Sequence, residues 1–153
     1  MELFTNGVFV IMEIKISEFS KTPLMRHCSV SECSGEEYYH NYLNQAFKNA
    51  LDNRDELIVN LDGVDGYSPS FIDEVFGNLV YDFTLNKVKP VLKIISDEEP
   101  DWVNFIEKET FSQWEKRRRT GHAPVVTVHH DAWWRMNDVG EIVQQIWGEP
   151  DNG

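Results

Sequence analysis

The sequence predicts an α/β protein in which a mixed, mainly parallel sheet of about four strands is flanked by helices. Short apolar, β-branched runs alternate with amphipathic helical patterns from residue 34 to the end of the chain. Polar turn sequences containing glycine or proline separate these segments. Strands that are joined through helices usually pair in parallel, so we expect a mainly parallel sheet. The length of 153 residues and the 41% of hydrophobic residues are typical of one globular domain.

Four segments have the pattern of strands, because each holds a short apolar run between polar turns. They span residues 8–16, 57–61, 91–95 and 125–129. The first alternates, with Glu13 and Lys15 on one face and Ile14 and Ile16 on the other. The sequence leaves its pairing open between an antiparallel edge position and a place beside the centre of the sheet.

Four segments have the apolar periodicity of helices. The first begins at Ser34, which forms a capping box with Glu37, and ends within residues 52–55. The second follows the serine-containing turn at residues 68–70. The third has Pro100 in its first turn and continues to residue 119, and the fourth spans residues 138–147.

The second helix is expected to bury only one face. Its apolar positions 72, 75, 76, 79, 80 and 83 recur at helical spacing and are assigned to the core. Asp73, Glu74, Asn78 and Asp82 occupy the other positions, and we expect them to face solvent. We divide the chain into a main domain (12–120), a strand-helix extension packed on it (121–153) and an N-terminal extension (1–11).

The charge of the chain is strongly negative and unevenly distributed. The formal net charge is −12, and residues 32–82 contain eleven acidic and two basic side chains. A negative surface disfavours nucleic acid and favours either solubility or a basic partner surface. The longest apolar run, at residues 8–16, is too short to span a membrane, and no secretory signal pattern is present. Cys28 and Cys33 form neither a disulfide framework nor a four-ligand zinc pattern, so we expect a cytoplasmic protein.

The most informative stretch, at residues 57–83, combines a buried strand, a polar turn and a helix whose first turn contains two serines. A helix start presents unpaired backbone N–H groups and a partial positive charge. In one interpretation, Ser68 caps the helix before Pro69, or Ser70 caps it with Asp73 as its reciprocal partner. In the other, one serine is also phosphorylated, against repulsion from nearby carboxylates such as Asp65.

Metal and enzyme chemistry are not expected. His129 and His130 are adjacent on a predicted strand, where neighbouring side chains point to opposite faces, so they cannot chelate one ion with His122. Asp62 and Asp65 with Asp73 would offer carboxylates to a magnesium ion at the carboxyl end of a strand, but turn formation at the two Asp-Gly pairs explains Asp62 and Asp65 more simply. There is no glycine-rich phosphate loop and no nucleophile elbow. We therefore predict no cofactor, no metal and no catalytic residue.

Three motifs carry a resemblance to a known family. They are FSKTP at residues 19–23 with Arg26 just beyond, SGEEYYHNYL at residues 34–43, and LDGVDGYSPSFIDEVFGNLV at residues 61–80. Together they resemble a STAS-like family whose function is unknown, and that family is similar to the STAS domains of bacterial anti-sigma-factor antagonists. The resemblance extends over residues 12–110. It implies a mixed sheet flanked by helices and a protein-binding surface at the strand-to-helix turn, without catalysis.

In those antagonists a kinase-like anti-sigma factor phosphorylates a serine in an Asp-Ser-Ser-Gly turn at this helix start. When the two turns are aligned from Gly63, the aspartate falls on Ser68 and the two serines fall on Pro69 and Ser70. Proline thus stands where the usual phosphoacceptor would be. Only Ser70, or Ser68 after a one-residue slip, is able to replace it.

We therefore expect a non-enzymatic regulatory module, bacterial or prophage-borne, that docks a protein such as a histidine-kinase-type ATPase or another regulator. The candidate contact or phosphoacceptor residues are Thr22, Arg26, Asp62, Asp65, Tyr67, Ser68, Ser70 and Asp73. Arg26 alternatively pairs with one of the many carboxylates. Two other classes stay open: an acidic decoy that blocks a basic nucleic-acid-binding site on another protein, and a small-molecule binder at the carboxyl ends of the strands.

Overall fold

The computed structural model describes residues 2–5, 10–29, 31 and 33–147, and its centre is a mixed four-stranded sheet. The strands are β1 (Glu2–Thr5), β2 (Val10–Lys15), β3 (Glu56–Asn60) and β4 (Leu92–Ile95), in that spatial order. β2, β3 and β4 pair in parallel, whereas β1 pairs antiparallel with β2. The predicted mixed α/β architecture with a mainly parallel sheet is confirmed. The edge strand β1, however, comes from the segment at residues 1–11 for which we predicted only an extension.

The sheet has one buried face. Met12, Leu57 and Leu92 lie opposite one another across the three parallel strands, and all three side chains are buried. The alternate positions Glu13 and Ile58 are only partly covered. Because side chains alternate along a strand, this pattern places the core on one side of the sheet, where the helices pack.

The helix predicted from Ser34 is present and is capped as expected. It consists of α1 (Gly35–Tyr38), a π-helical turn (Tyr39–Leu43) and α2 (Asn44–Asn53). The hydroxyl of Ser34 accepts a hydrogen bond from the backbone N–H of Glu37 at 3.1 Å. The segment ends at Arg54, which has a φ of 57° and so takes the left-handed conformation common after a helix.

The remaining helices follow β3, and the first of them is the longest uninterrupted α-helix among the described residues. They are α3 (Pro69–Phe83), α4 (Leu85–Val91), α5 (Asp101–Phe105), a second π-helical turn (Ile106–Thr110) and α6 (Phe111–Arg119). The segment from α5 to α6 is the helix predicted after Pro100, whereas α4 was not predicted. α3 and α6 approach closely because Gly77 has no side chain: a Cβ there would lie 2.1 Å from Cε2 of Trp114.

The predicted solvent face of α3 is wrong at three of its four positions. Glu74, Asn78 and Asp82 have exposed fractions of 2%, 1% and 0%, and Asp73 is half-buried. The loop before α1 and the C-terminal segment both cover this face, so α3 is buried nearly all round.

The predicted C-terminal strand and helix are also wrong. Residues 125–129 are irregular, and residues 133–145 form a hairpin of β5 (Trp133–Met136) and β6 (Ile142–Gln145). The turn is fixed by Asn137, whose side-chain oxygen accepts from the backbone N–H groups of Val139 and Glu141, and by Gly140 at a φ of 84°. Such a turn cannot lie inside a helix. The hairpin is a separate two-stranded sheet whose strand β5 contacts α2 and α3.

No helix among the described residues is long and apolar enough to cross a membrane. The division into residues 12–120, 121–153 and 1–11 stays a prediction.

Candidate functional site

The turn between β3 and α3, residues 61–68, is held in place by Ser68. Its hydroxyl accepts from the backbone N–H of Phe71 at 3.0 Å and donates to the carbonyl of Leu24 at 2.5 Å. Its own N–H donates to the carbonyl of Pro23 at 3.3 Å. Ser68 is therefore the N-cap of α3, and capping by Ser70 is excluded. The Ser68 hydroxyl thus uses its proton and one lone pair to hold the turn.

Ser70 and Asp65 are exposed near this helix start. Ser70 is the second residue of α3, and within the described part of the chain its hydroxyl has no hydrogen-bond partner. The backbone N–H of Asp65 donates to the carbonyl of Lys21 at 2.7 Å, and its carboxylate makes no hydrogen bond with the described residues. Both side chains are thus available to a partner.

Asp62 joins the turn to the loop that follows β4. Its carboxylate accepts from the backbone N–H groups of Asp97 and Glu98 at 3.2 and 2.9 Å. A small cavity of about 170 Å³ opens here, at the carboxyl ends of β3 and β4. Its lining is Leu61, Asp62, Val64, Tyr67, Ser96, Glu98 and Glu99. The acidic lining disfavours anionic ligands such as nucleotides.

Tyr67 lies half-buried between the turn and α5. Its hydroxyl donates to the carbonyl of Leu61 at 2.5 Å, and its ring packs edge-on against Trp102 with 6.0 Å between centroids. Burial raises the pKa of Tyr67 well above the ordinary value, so the phenol stays neutral. Because the side chain is only half-buried, part of its surface remains accessible for contact.

Arg26 pairs with two carboxylates of α3. One of its terminal nitrogens lies 3.0 Å from Asp73 and 3.1 Å from Glu74, and the indole of Trp114 donates to the same oxygen of Asp73 at 3.0 Å. Burial raises the pKa of Glu74, and hydrogen bonds from Asn78 and Arg26 offset only part of that rise. The expectation that Arg26 pairs with a carboxylate is confirmed, and the pairing moderates the negative charge near the helix start.

All eight predicted site residues lie at one end of the sheet. The loop after β2 carries Thr22 and Arg26, and the turn after β3 carries most of the others. Because β2 and β3 are parallel, both segments begin at the same end of the sheet. The exposed side chain of Thr22 lies in the same loop that covers Ser68. The structure thus brings the candidates together. Some of them are exposed, and the others form the hydrogen bonds that hold the turn and its neighbouring loop.

Sequence reasoning missed a second polar cluster, centred on the fully buried carboxylate of Glu36. Glu36 accepts from the backbone N–H of Cys28 at 3.0 Å and from the N–H and hydroxyl of Thr127 at 3.0 and 2.6 Å. A ring nitrogen of His130 lies 2.7 Å from its second oxygen. Burial alone would raise the pKa of Glu36, but the hydrogen bonds from His130 and Thr127 outweigh it and lower that pKa.

Cys28 completes this cluster. Its sulfur lies 3.3 Å from the hydroxyl of Ser34 and 3.4 Å from the carboxylate of Glu37. Burial raises the pKa of the thiol to about 12, and the negative charges of Glu36 and Glu37 add to the effect. The sequence argument against the histidines assumed a strand at residues 125–129, and no strand is there. No local pattern announces the cluster, because Glu36 and His130 are 94 residues apart.

Residues 34–102 match the family model described as a STAS-like domain of unknown function (DUF4325). The resemblance drawn from the sequence is confirmed over this range, which contains α1, β3, the turn and α3. No curated protein and no solved structure matches the chain.

Proposed function

We propose that this chain is a non-enzymatic regulatory module that docks a protein partner at the β3–α3 turn. The observation that carries the proposal is that some side chains of this turn hold its backbone in place while others are exposed. The side chains of Ser68 and Asp62 form hydrogen bonds to backbone groups and hold the turn. Asp65 and Ser70 are exposed to solvent. A rigid turn that presents exposed side chains binds without a large cost in ordering, which is what a docking surface needs. The match to a STAS-like family supports the same assignment.

The contact surface would consist of the exposed or accessible candidates Thr22, Asp65, Tyr67 and Ser70. The other candidates act through the fold: Arg26 and Asp73 fix the loop after β2 against α3. The partner would be a histidine-kinase-type ATPase or another regulator.

Phosphorylation, if it regulates this docking, would fall on Ser70. The Ser68 hydroxyl already caps α3, and modifying it would break two hydrogen bonds. A phosphate on Ser70 would lie in the first helical turn, where free N–H groups and the helix dipole favour negative charge. Repulsion from Asp73 and Glu74 is reduced because Arg26 contacts both.

The test is a binding measurement with a charge-mimicking variant. The full chain, immobilised, would be incubated with candidate regulators from its own genome, and each retained protein would then be titrated against Ser70→Glu and Tyr67→Ala. Ser112→Glu is the matched control, since Ser112 is an exposed serine on α6. We expect at least about tenfold weaker binding for the turn variants, a loss typical of interface hot spots, and none for the control. Equal binding by all three variants would remove the turn as the docking surface.

The decoy alternative has less support from the structure than from the composition. Among the described carboxylates of the acidic window, those of Glu36, Glu74 and Asp82 are buried. A decoy would bind through the remaining exposed charges, and its affinity would fall steeply with salt. Docking through the turn predicts a weak salt dependence, so the same titrations at two salt concentrations separate the two functions.

A further inference from the structure

The cluster around Glu36 brings together three different metal-binding groups. The sulfur of Cys28, a carboxylate oxygen of Glu36 and a ring nitrogen of His130 all lie within 4.8 Å of one another. Glu36 and His130 are buried, with exposed fractions of 0% and 4%. Tetrahedral metal ligands are separated by somewhat less than this, so small side-chain movements would close the site.

These groups are held by three separate parts of the chain. Glu36 lies in the first turn of α1, which the Ser34 cap fixes, and Cys28 lies in the preceding loop. His130 comes from the C-terminal segment, where Thr127 binds the same carboxylate through its N–H and its hydroxyl. The arrangement is therefore anchored independently of any ion.

We propose that Cys28, Glu36 and His130 form a binding site for a divalent transition metal, with Zn²⁺ as the best match. A thiolate, a carboxylate and an imidazole are zinc ligands, whereas Mg²⁺ and Ca²⁺ require oxygen ligands. The thiolate and the carboxylate together carry two negative charges, which a divalent ion neutralises. Binding releases the thiol proton of Cys28 to solvent and replaces the contact between Glu36 and His130 with two bonds to the metal.

His27 would have to move toward the other three ligands to supply a fourth, because it is not among the groups that lie within 4.8 Å of one another. Its Nδ1 atom lies 3.4 Å from the carboxylate of Glu36, and this buried nitrogen makes no hydrogen bond with any described residue. A buried ring nitrogen without a hydrogen bond is unusual, and coordination to a metal at this place would satisfy it. With three ligands the fourth position would be taken by water; with His27 the site would be closed, as structural zinc sites are.

Replacing the thiol of Cys28 distinguishes a metal site from a network of hydrogen bonds. A network that only fixes the C-terminal segment tolerates serine at position 28, because Glu36 bonds to the backbone N–H of that residue. A zinc site loses its thiolate in the same variant. Cys33, an exposed cysteine five residues away, provides the matched control.

The experiment is a titration of the chelator-treated full chain with Co²⁺ and Zn²⁺. We expect one ion per chain, a thiolate-to-cobalt absorption band, and a rise in Tm on adding Zn²⁺. Cys28→Ser should abolish the band and weaken Zn²⁺ binding by more than about tenfold, while Cys33→Ser retains both. His130→Gln, which keeps a hydrogen-bond donor for Glu36, should also weaken Zn²⁺ binding. If circular dichroism shows that this variant does not fold, the comparison of Cys28→Ser with Cys33→Ser decides the test. Absence of stoichiometric binding, or equal binding by Cys28→Ser and Cys33→Ser, would overturn the proposal.

Discussion

Nε of Arg135 lies 2.6 Å from a carboxylate oxygen of Asp82, and this pair links the C-terminal hairpin to the end of α3 inside the protein. Asp82 has no exposed surface. Its second oxygen accepts a hydrogen bond from the hydroxyl of Tyr39 at 2.6 Å, and Asn44 donates to that hydroxyl at 3.0 Å. A buried charge that is paired and hydrogen-bonded on both oxygens is tolerated, but it depends on each partner.

Replacing Arg135 with methionine should destabilise the fold strongly. The variant keeps much of the side-chain volume but leaves the carboxylate of Asp82 buried without its cation. We expect a loss of about 3–5 kcal/mol in the free energy of unfolding, measured by urea denaturation. Arg119→Met, which removes an exposed arginine, is the control and should change stability by less than about 0.5 kcal/mol. If Arg135→Met lowered the free energy of unfolding as little as the control does, the buried pair would contribute little to stability.

Substitution of Gly77 should disrupt the contact between α3 and α6. A Cβ at this position would lie 2.1 Å from Trp114, whose indole is fixed by a hydrogen bond to Asp73 and by Arg117 over its ring. Alanine is intrinsically better than glycine in a helix by about 1 kcal/mol, yet the clash should outweigh that gain. We therefore expect Gly77→Ala to lower Tm by several degrees. Gly66→Ala, where no atom lies within 4 Å of the added carbon, should leave Tm nearly unchanged.

The sequence was sufficient where the structure is decided locally. Ser34 marked the start of one helix, and the serines at residues 68–70 marked the start of another without deciding which of them caps it. The parallel strands followed from apolar runs between turns. It was insufficient for the polar positions of α3. Asp82 and Glu74 look like solvent-facing residues in a periodic pattern, and partners far away in the sequence, such as Arg135 and Arg26, help to make their burial tolerable.

The C-terminal hairpin shows a different limit. Asp138 was interpreted as the start of a helix, although Asn137 and Gly140 together are typical of a hairpin turn. The cluster at Glu36 had no comparable signal, because Cys28, Glu36 and His130 meet only after the C-terminal segment has folded back onto α1.

The two serines of the turn should differ in their contribution to stability. Ser68→Ala removes the cap of α3 and its bond to the loop at Leu24, and we expect a cost of about 1–2 kcal/mol. Ser70→Ala alters an exposed hydroxyl and should cost less than about 0.5 kcal/mol. Urea denaturation of both variants measures the difference. The opposite order would mean that Ser70, not Ser68, holds the helix start.

The buried carboxyl of Glu74 should make the protein less stable as the pH rises. Burial raises its pKa above the ordinary value of 4.5, so above that pH the unfolded chain loses a proton that the folded chain retains. Stability from this group is therefore complete below about pH 4.5 and falls as the pH rises through the folded-state pKa, by up to about 1.4 kcal/mol per pH unit. Glu74→Gln cannot ionise and should remove this slope, whereas Arg26→Met removes a nearby cation and should extend it to higher pH. Urea denaturation from pH 4 to pH 8, with the exposed Glu107→Gln as control, measures all four profiles. Parallel profiles for the wild type and Glu74→Gln would mean that the proton on Glu74 is not retained on folding.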